Sequence, residues 1–113
     1  MATIFNEKVI SGTVNGASVT HEHAIPHENN VSVQVKYTGT TITGEVKLQA
    51  KMHEDADYVD VEDSVNAIAD NSGSFLYDMR NINFNFLKIV CTSATGAITF
   101  DAWLLIKRAK PTQ

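Results

Sequence analysis

The chain has one cysteine, two prolines and no long apolar run. A lone Cys91 excludes an intramolecular disulfide framework and fits reducing surroundings. The longest apolar run, Ala102 to Ile106, falls far short of the roughly 20 residues a membrane helix needs. No membrane partner is therefore expected. The start, Met1-Ala-Thr-Ile-Phe-Asn-Glu-Lys8, lacks the basic and apolar regions of a signal peptide, so the protein is expected to work where it is made. Basic residues are also in the minority: nine Lys and Arg against thirteen Asp and Glu leave a net charge of −4. That argues against nucleic-acid binding, which needs a basic face to displace phosphate counterions. A catalytic constellation is missing as well. Cys91 sits between Val90 and Thr92 in an apolar run with no histidine nearby, and nucleophilic catalysis would need a base and an oxyanion pocket. The sequence reads as a non-enzyme, with no catalytic, cofactor or metal residue assigned.

What is present is period-two alternation. In Val31-Ser-Val33-Gln-Val35-Lys-Tyr37, and again in Val46-Lys-Leu48-Gln-Ala50-Lys-Met52, apolar residues fall at every second position. Such a strand covers a core with one face only, as in antiparallel sheet. The segment between them, Thr38 to Gly44, contains two glycines and no strong helix former, which suits a turn and re-entry into the sheet. Hydrophobic content of 43% with 19% charged residues is that of a folded soluble protein, and 113 residues fit a single domain spanning 1–113.

Along the chain, Thr3 to Ile10 reads as a first strand, with Ser11-Gly12 and Asn15-Gly16 as turn signals that make a short hairpin. Ala17 to Ile25 follows as a second strand, closed by Pro26, which cannot donate to a sheet ladder. Residues 1–30 are also readable as a partly extended arm that adds a strand to a neighbour. Strands are expected near 31–38 and 43–53, then at Tyr58 to Val61 and Ser74 to Met79, with the clearest turn at Asp70-Asn71-Ser72-Gly73. Ser64 to Ala69 suits either one helical turn or a strand. Asn83 to Thr92 and Ala97 to Ile106, joined by Ser93 to Gly96, look like the strongest pair, rich in aromatic and β-branched residues. Ile98, Phe100, Ala102, Leu104 and Ile106 share one face, so their register is expected to be fixed. Trp103 and Leu105 lie on the other face, where a loop, a partner subunit or a ligand must cover them. About seven or eight strands with regular turns describe an all-β, antiparallel β-sandwich, with a closed small barrel as the competing architecture.

Several segments carry a resemblance. Val31-Ser-Val-Gln-Val-Lys-Tyr-Thr-Gly39, Thr43-Gly-Glu-Val-Lys-Leu-Gln-Ala50, Tyr58-Val-Asp-Val61, Ser72-Gly-Ser-Phe-Leu-Tyr-Asp78, Phe86-Leu-Lys-Ile-Val90 and Gly96-Ala-Ile-Thr-Phe-Asp-Ala102 together resemble the small jelly-roll proteins of tailed-bacteriophage virions. The likeness covers roughly residues 31–109 and rests on strand pattern and turn chemistry. Lys51-Met-His-Glu-Asp-Ala-Asp57 departs from the family's Ser-Asn-Asp-Gly type of turn. The resemblance implies a jelly-roll sandwich and a structural role in the virion: an auxiliary or decoration protein on the capsid, or an accessory part of the neck or tail. Its implied partners are the major capsid protein, other virion proteins and copies of itself, and its implied location is the virion. A second, weaker resemblance is to discoidin-like and carbohydrate-binding sandwiches.

Three local features invite sharper readings. His21-Glu22-His23 points two imidazoles to one side of a strand, a spacing that binds zinc if His27 or His53 supplies a third ligand. Solvated strand-face histidines are the preferred reading, since no cysteine pair or second ligand set accompanies them. Glu54, Asp55, Asp57, Asp60, Glu62 and Asp63, six of the thirteen acidic residues, fall within ten positions. They could gather around calcium, but the glycine and terminal Glu of the familiar calcium loop are missing, and a hydrated charged loop is preferred. The loop is also a candidate contact for a basic neighbour, including Lys107, Arg108 and Lys110 of another copy, in head-to-tail association. Finally, Tyr37, Tyr58, Tyr77 and Trp103 can stack on sugar rings, although alternation places most of them in or near the core.

Overall fold

Alternation in the sequence becomes alternation in burial. The computed structural model describes residues 3–26 and 29–109. Nine strands lie among them: β1 (Thr3–Asn15), β2 (Ser18–Ala24), β3 (Asn29–Gly39), β4 (Thr43–Lys51), β5 (Val59–Asp60), β6 (Asn66–Ile68), β7 (Ser72–Ile82), β8 (Phe86–Thr95) and β9 (Ala97–Arg108). They form two antiparallel sheets in a sandwich-like arrangement. One sheet has the order β1-β9-β3-β7, the other β2-β8-β4-β5, with β6 also pairing to β4. Two open sheets replace the closed barrel that the strand count alone allowed. Val31, Val33 and Val35 of β3, Val46 and Leu48 of β4, and Leu87, Ile89 and Cys91 of β8 are fully buried between the sheets. All five inward positions of β9, from Ile98 to Ile106, join them. Burying one such large side chain contributes about 1.5–3 kcal/mol, so a one-residue slip of β9 is strongly opposed.

The pairing differs from the local hairpins that the turns suggest. Asn15-Gly16 links β1 to β2, Gly39 to Gly44 links β3 to β4, and Ser93 to Gly96 links β8 to β9, yet each link crosses from one sheet to the other. The turn chemistry itself is as read: Gly16 and Gly96 have φ of 64° and 80°. A two-stranded hairpin leaves one apolar face wet, whereas crossing over lets both strands bury their faces against each other. Strand β1 also runs straight through Ser11-Gly12, with Gly12 opposite Phe100. Its irregularities fall instead between Thr3 and Phe5 and between Lys8 and Ile10. Within segment 64–69, Asn66–Ile68 form a short strand along β4 rather than a helical turn.

The open side between β7 and the β5–β6 edge is closed by a tyrosine. Tyr77 is buried on the inner face of β7, and its hydroxyl lies 2.7 Å from the Ser64 carbonyl oxygen and 3.2 Å from that of Val46. It also accepts a bond from Asn66 Nδ2 at 2.9 Å. Ser64, itself buried, donates to the Leu48 carbonyl and accepts from the Leu48 amide. Tyr77→Phe keeps the ring but strips the Ser64 carbonyl and the Asn66 amide of a partner. The expected loss is about 1–3 kcal/mol, the cost of leaving buried polar groups unmet. Urea unfolding of the variant checks it, with Asn66→Ala in a double-mutant cycle separating the amide's share.

Candidate functional site

The outer face of the four-stranded sheet carries large apolar side chains that core packing does not require. Residues pointing out of β9, β3, β7 and β1 line up in rows set by register: Lys8, Trp103, Gln34 and Leu76 in one row, Asn6, Leu105, Ser32 and Asp78 in the next. The result is a groove of about 410 Å³ whose apolar floor is Trp103, Leu105 and Leu76 and whose rim includes Asn6, Gln34 and Lys36. A smaller depression of about 290 Å³, lined by Arg80 and Lys107 among others, shares Ser32 and Leu105 with it. Leu76 is 71% exposed, the most exposed large apolar side chain among the described residues. Trp103 is half-buried. Lys8 holds its ammonium over the indole ring, 5.2 Å from the centroid, while also pairing with Asp101 at 3.4 Å. Ser32 donates to the Asp78 carboxylate at 2.9 Å and Arg80 pairs with it at 3.2 Å, the Ser32 bond first among the causes that hold Asp78 below the ordinary carboxylate range.

Trp103 and Leu105 are legible in the sequence as outward apolar residues, and the structure places them together. Leu76 was missed. Its signal was available in parity, since Phe75 and Tyr77 face inward and Ser74, Leu76 and Asp78 face outward. The four aromatic candidates separate. Tyr37 and Tyr77 belong to the core, with Tyr37 stacked on Phe75 at 5.5 Å. Tyr58 lies over the other sheet, with Lys51 4.7 Å and Lys88 5.2 Å from its ring centroid. Desolvation and a hydrogen bond to Glu22 push its hydroxyl up to about 12. Cys91 is fully buried, and desolvation raises its thiol to about 12, as expected of a packing residue.

His21 and His23 do share one side of β2, but they face the sandwich interior rather than open solvent. Nε2 of His21 lies 3.1 Å from Nδ1 of His23, and Phe5 of β1 packs on His23 at 4.4 Å between ring centroids. His53 stands elsewhere, in the acidic loop 3.7 Å from Asp55, and His27 is outside the described residues. Among the described residues no three His, Cys, Asp or Glu side chains converge as a metal site would require. In the acidic segment Asp60 is held by Lys47 at 3.1 Å and Gln49 at 2.9 Å, the Gln49 bond being the larger cause of its lowered carboxyl pKa. Its carboxylates therefore spread along an exposed edge rather than gather around one centre.

The histidine pair makes a pH prediction. Both imidazoles titrate below the ordinary 6.5, mainly because burial disfavours the charged form, with Glu22 partly offsetting this for His21 and Glu7 for His23. The unfolded chain then binds protons more readily than the native one. The stability is fully present above the unfolded value and is lost as pH falls through it toward the lowered native value. The urea midpoint is expected to fall between about pH 7 and pH 5, and His21→Leu/His23→Leu is expected to flatten that fall. An unchanged slope in the double variant would assign the effect to other groups.

No family model matches this chain, and no curated protein matches it in sequence.

Proposed function

We propose that the protein is a non-enzymatic jelly-roll subunit that works by adhesion, as an accessory or decoration protein of a tailed-bacteriophage virion. Strand order supports the jelly-roll reading: β1-β9-β3-β7 faces β2-β8-β4-β5, and the links β1–β2, β2–β3, β3–β4, β7–β8 and β8–β9 all change sheet. Capsid proteins are among the users of that double-sheet architecture. The observation that carries the adhesive reading is the exposed Leu76, beside Trp103 and Leu105, on a sheet face that needs no such residues for its own core. Contacts that are weak singly become strong on a repeating lattice, where later contacts form at high effective concentration. The test is retention on accessory-depleted particles by sedimentation. Retention that falls in Leu76→Glu supports the proposal, and no retention of the unaltered protein sinks it.

One observation favours a second reading, a carbohydrate-binding module: the half-buried indole of Trp103 lies in a groove with the amides of Asn6 and Gln34. A sugar ring stacks its apolar face on an aromatic platform and gives its hydroxyls to such amides. Glycan-array binding that disappears in Trp103→Ala would favour this reading over adhesion to protein.

A further inference from the structure

The exposed large apolar side chains of the described residues are not scattered. Apart from Ile4, they are Leu76 in the groove (71% exposed) and Met52, Val59 and Val65 (59%, 64% and 50%) in the segment 52–65. That segment also holds the six clustered acids and no Lys or Arg. Asp60 and Asp55 are engaged by Lys47 and His53. Glu54, Asp57, Glu62 and Asp63 make no ion pair among the described residues. The groove has the opposite balance: Lys8, Lys36, Arg80 and Lys107 surround it against Asp78 and Asp101, and neither Lys36 nor Lys107 makes an ion pair among the described residues. Each patch thus offers apolar contact together with the charge that the other lacks.

Within one copy the two patches cannot meet. Segment 52–65 touches the inner side of β7, through Tyr77 and the Ser64 carbonyl, whereas Leu76 points out of the opposite face of the same strand. The contact has to join two copies, and because the patches lie on opposite sides of β7, a reciprocal two-fold pair does not bring both together; the interface is heterologous and repeats head to tail into a ring or an open chain.

We propose that the acidic, apolar-tipped segment 52–65 of one copy docks in the Trp103 groove of the next. The proposal rests on the adhesive reading of that face and names its occupant. Val59 and Val65 lie against Leu76 and Trp103, and the segment's carboxylates reach Lys36 and Lys107. The association weakens as salt rises, since its charges are exposed.

Sedimentation velocity of the full chain across a concentration series tests it, using two variants at exposed positions. Leu76→Glu spoils the groove and leaves the segment intact. Asp57→Lys/Glu62→Lys spoils the segment and leaves the groove intact. The unaltered protein is expected to associate with concentration, each variant alone to need at least about tenfold more protein to do so, and the two variants mixed to form a pair that grows no further. That recovery in the mixture also shows that both variants are folded. An unaltered protein that stays monomeric throughout, or association that neither variant weakens, overturns the proposal. Self-association without retention on particles would overturn the virion reading alone, and retention of a strictly monomeric protein would overturn the head-to-tail contact alone.

Discussion

Truncating Phe100 to alanine is expected to remove about 3–5 kcal/mol of stability, the usual cost of deleting a buried aromatic ring and leaving a cavity. Phe100 is fully buried at the centre of β9, opposite Tyr37 of β3 on one side and Gly12 of β1 on the other. Because β9 is bonded to both β1 and β3, the gap lies where two ladders meet, and neither neighbour can close it without shifting its own register. Gly12 offers no side chain to fill it. Against a total of about 5–15 kcal/mol for an ordinary domain, the variant sits near the edge of folding at room temperature. Urea unfolding should show a lower midpoint with an unchanged slope. Leu76→Ser, on the outer face of the same sheet, is the matched control, expected to stay within about 0.5 kcal/mol. A Phe100→Ala variant as stable as that control would mean the inward row of β9 is not the core.

That inward row was legible because period two has one physical cause: successive Cβ atoms in a strand point to opposite faces. Ile98, Phe100, Ala102, Leu104 and Ile106, and Val31, Val33 and Val35, are placed on the inner face by alternation alone. Which strand lies beside which is not set that way. Ser93 to Gly96 has the chemistry of a hairpin turn, yet the same residues serve equally well to carry the chain from β8 in one sheet to β9 in the other. Alternation states that a face must be covered, and says nothing of whether the cover comes from the neighbour in sequence. In this fold β9 pairs with β1 and β3, both distant along the chain, so the decisive information is a sum over many weak preferences rather than a local motif. Ser11-Gly12 shows the converse error: a glycine tolerates a turn without requiring one, and here the strand passes through.

The groove divides in the same way. Trp103 and Leu105 betray themselves as large apolar residues on the wrong side of β9, but Asn6, Gln34 and Leu76 come from three other strands, and only the register brings them to the same place. The histidine pair was legible as a pair and not in its direction. Parity puts His21 and His23 together, whereas inward or outward depends on Val19, whose side chain packs on the core and so turns both imidazoles toward Phe5.

Gly44→Ala is the second substitution expected to have a large effect, and it works by the opposite physics, overfilling instead of emptying. The sequence offers Gly44 as part of a turn, but in the fold it lies within β4, where the register against β8 slips between Thr43 and Gly44. A Cβ at this position would stand 2.2 Å from the carbonyl oxygen of Thr92 and 3.2 Å from Cδ1 of Ile98. The oxygen is main chain, held in the ladder that β8 makes with β2 and β4, so it cannot swing aside as a flexible side chain would. Relief requires β4 to move away from β8, which pulls Val46 and Leu48 out of the core. Overpacking typically costs about 1–3 kcal/mol, and a clash with fixed backbone belongs at the top of that range or above it. Glycine at such a place is kept for close approach of a neighbouring backbone, not for a special φ. Gly16→Ala provides the contrast: its φ of 64° is strained for alanine, but the added methyl meets nothing within 4 Å. It is expected to lose about 1 kcal/mol, the backbone strain alone, and denaturation of both variants side by side separates steric exclusion from dihedral strain. Equal losses would mean that the slip at Gly44 leaves more room than the position of Thr92 allows.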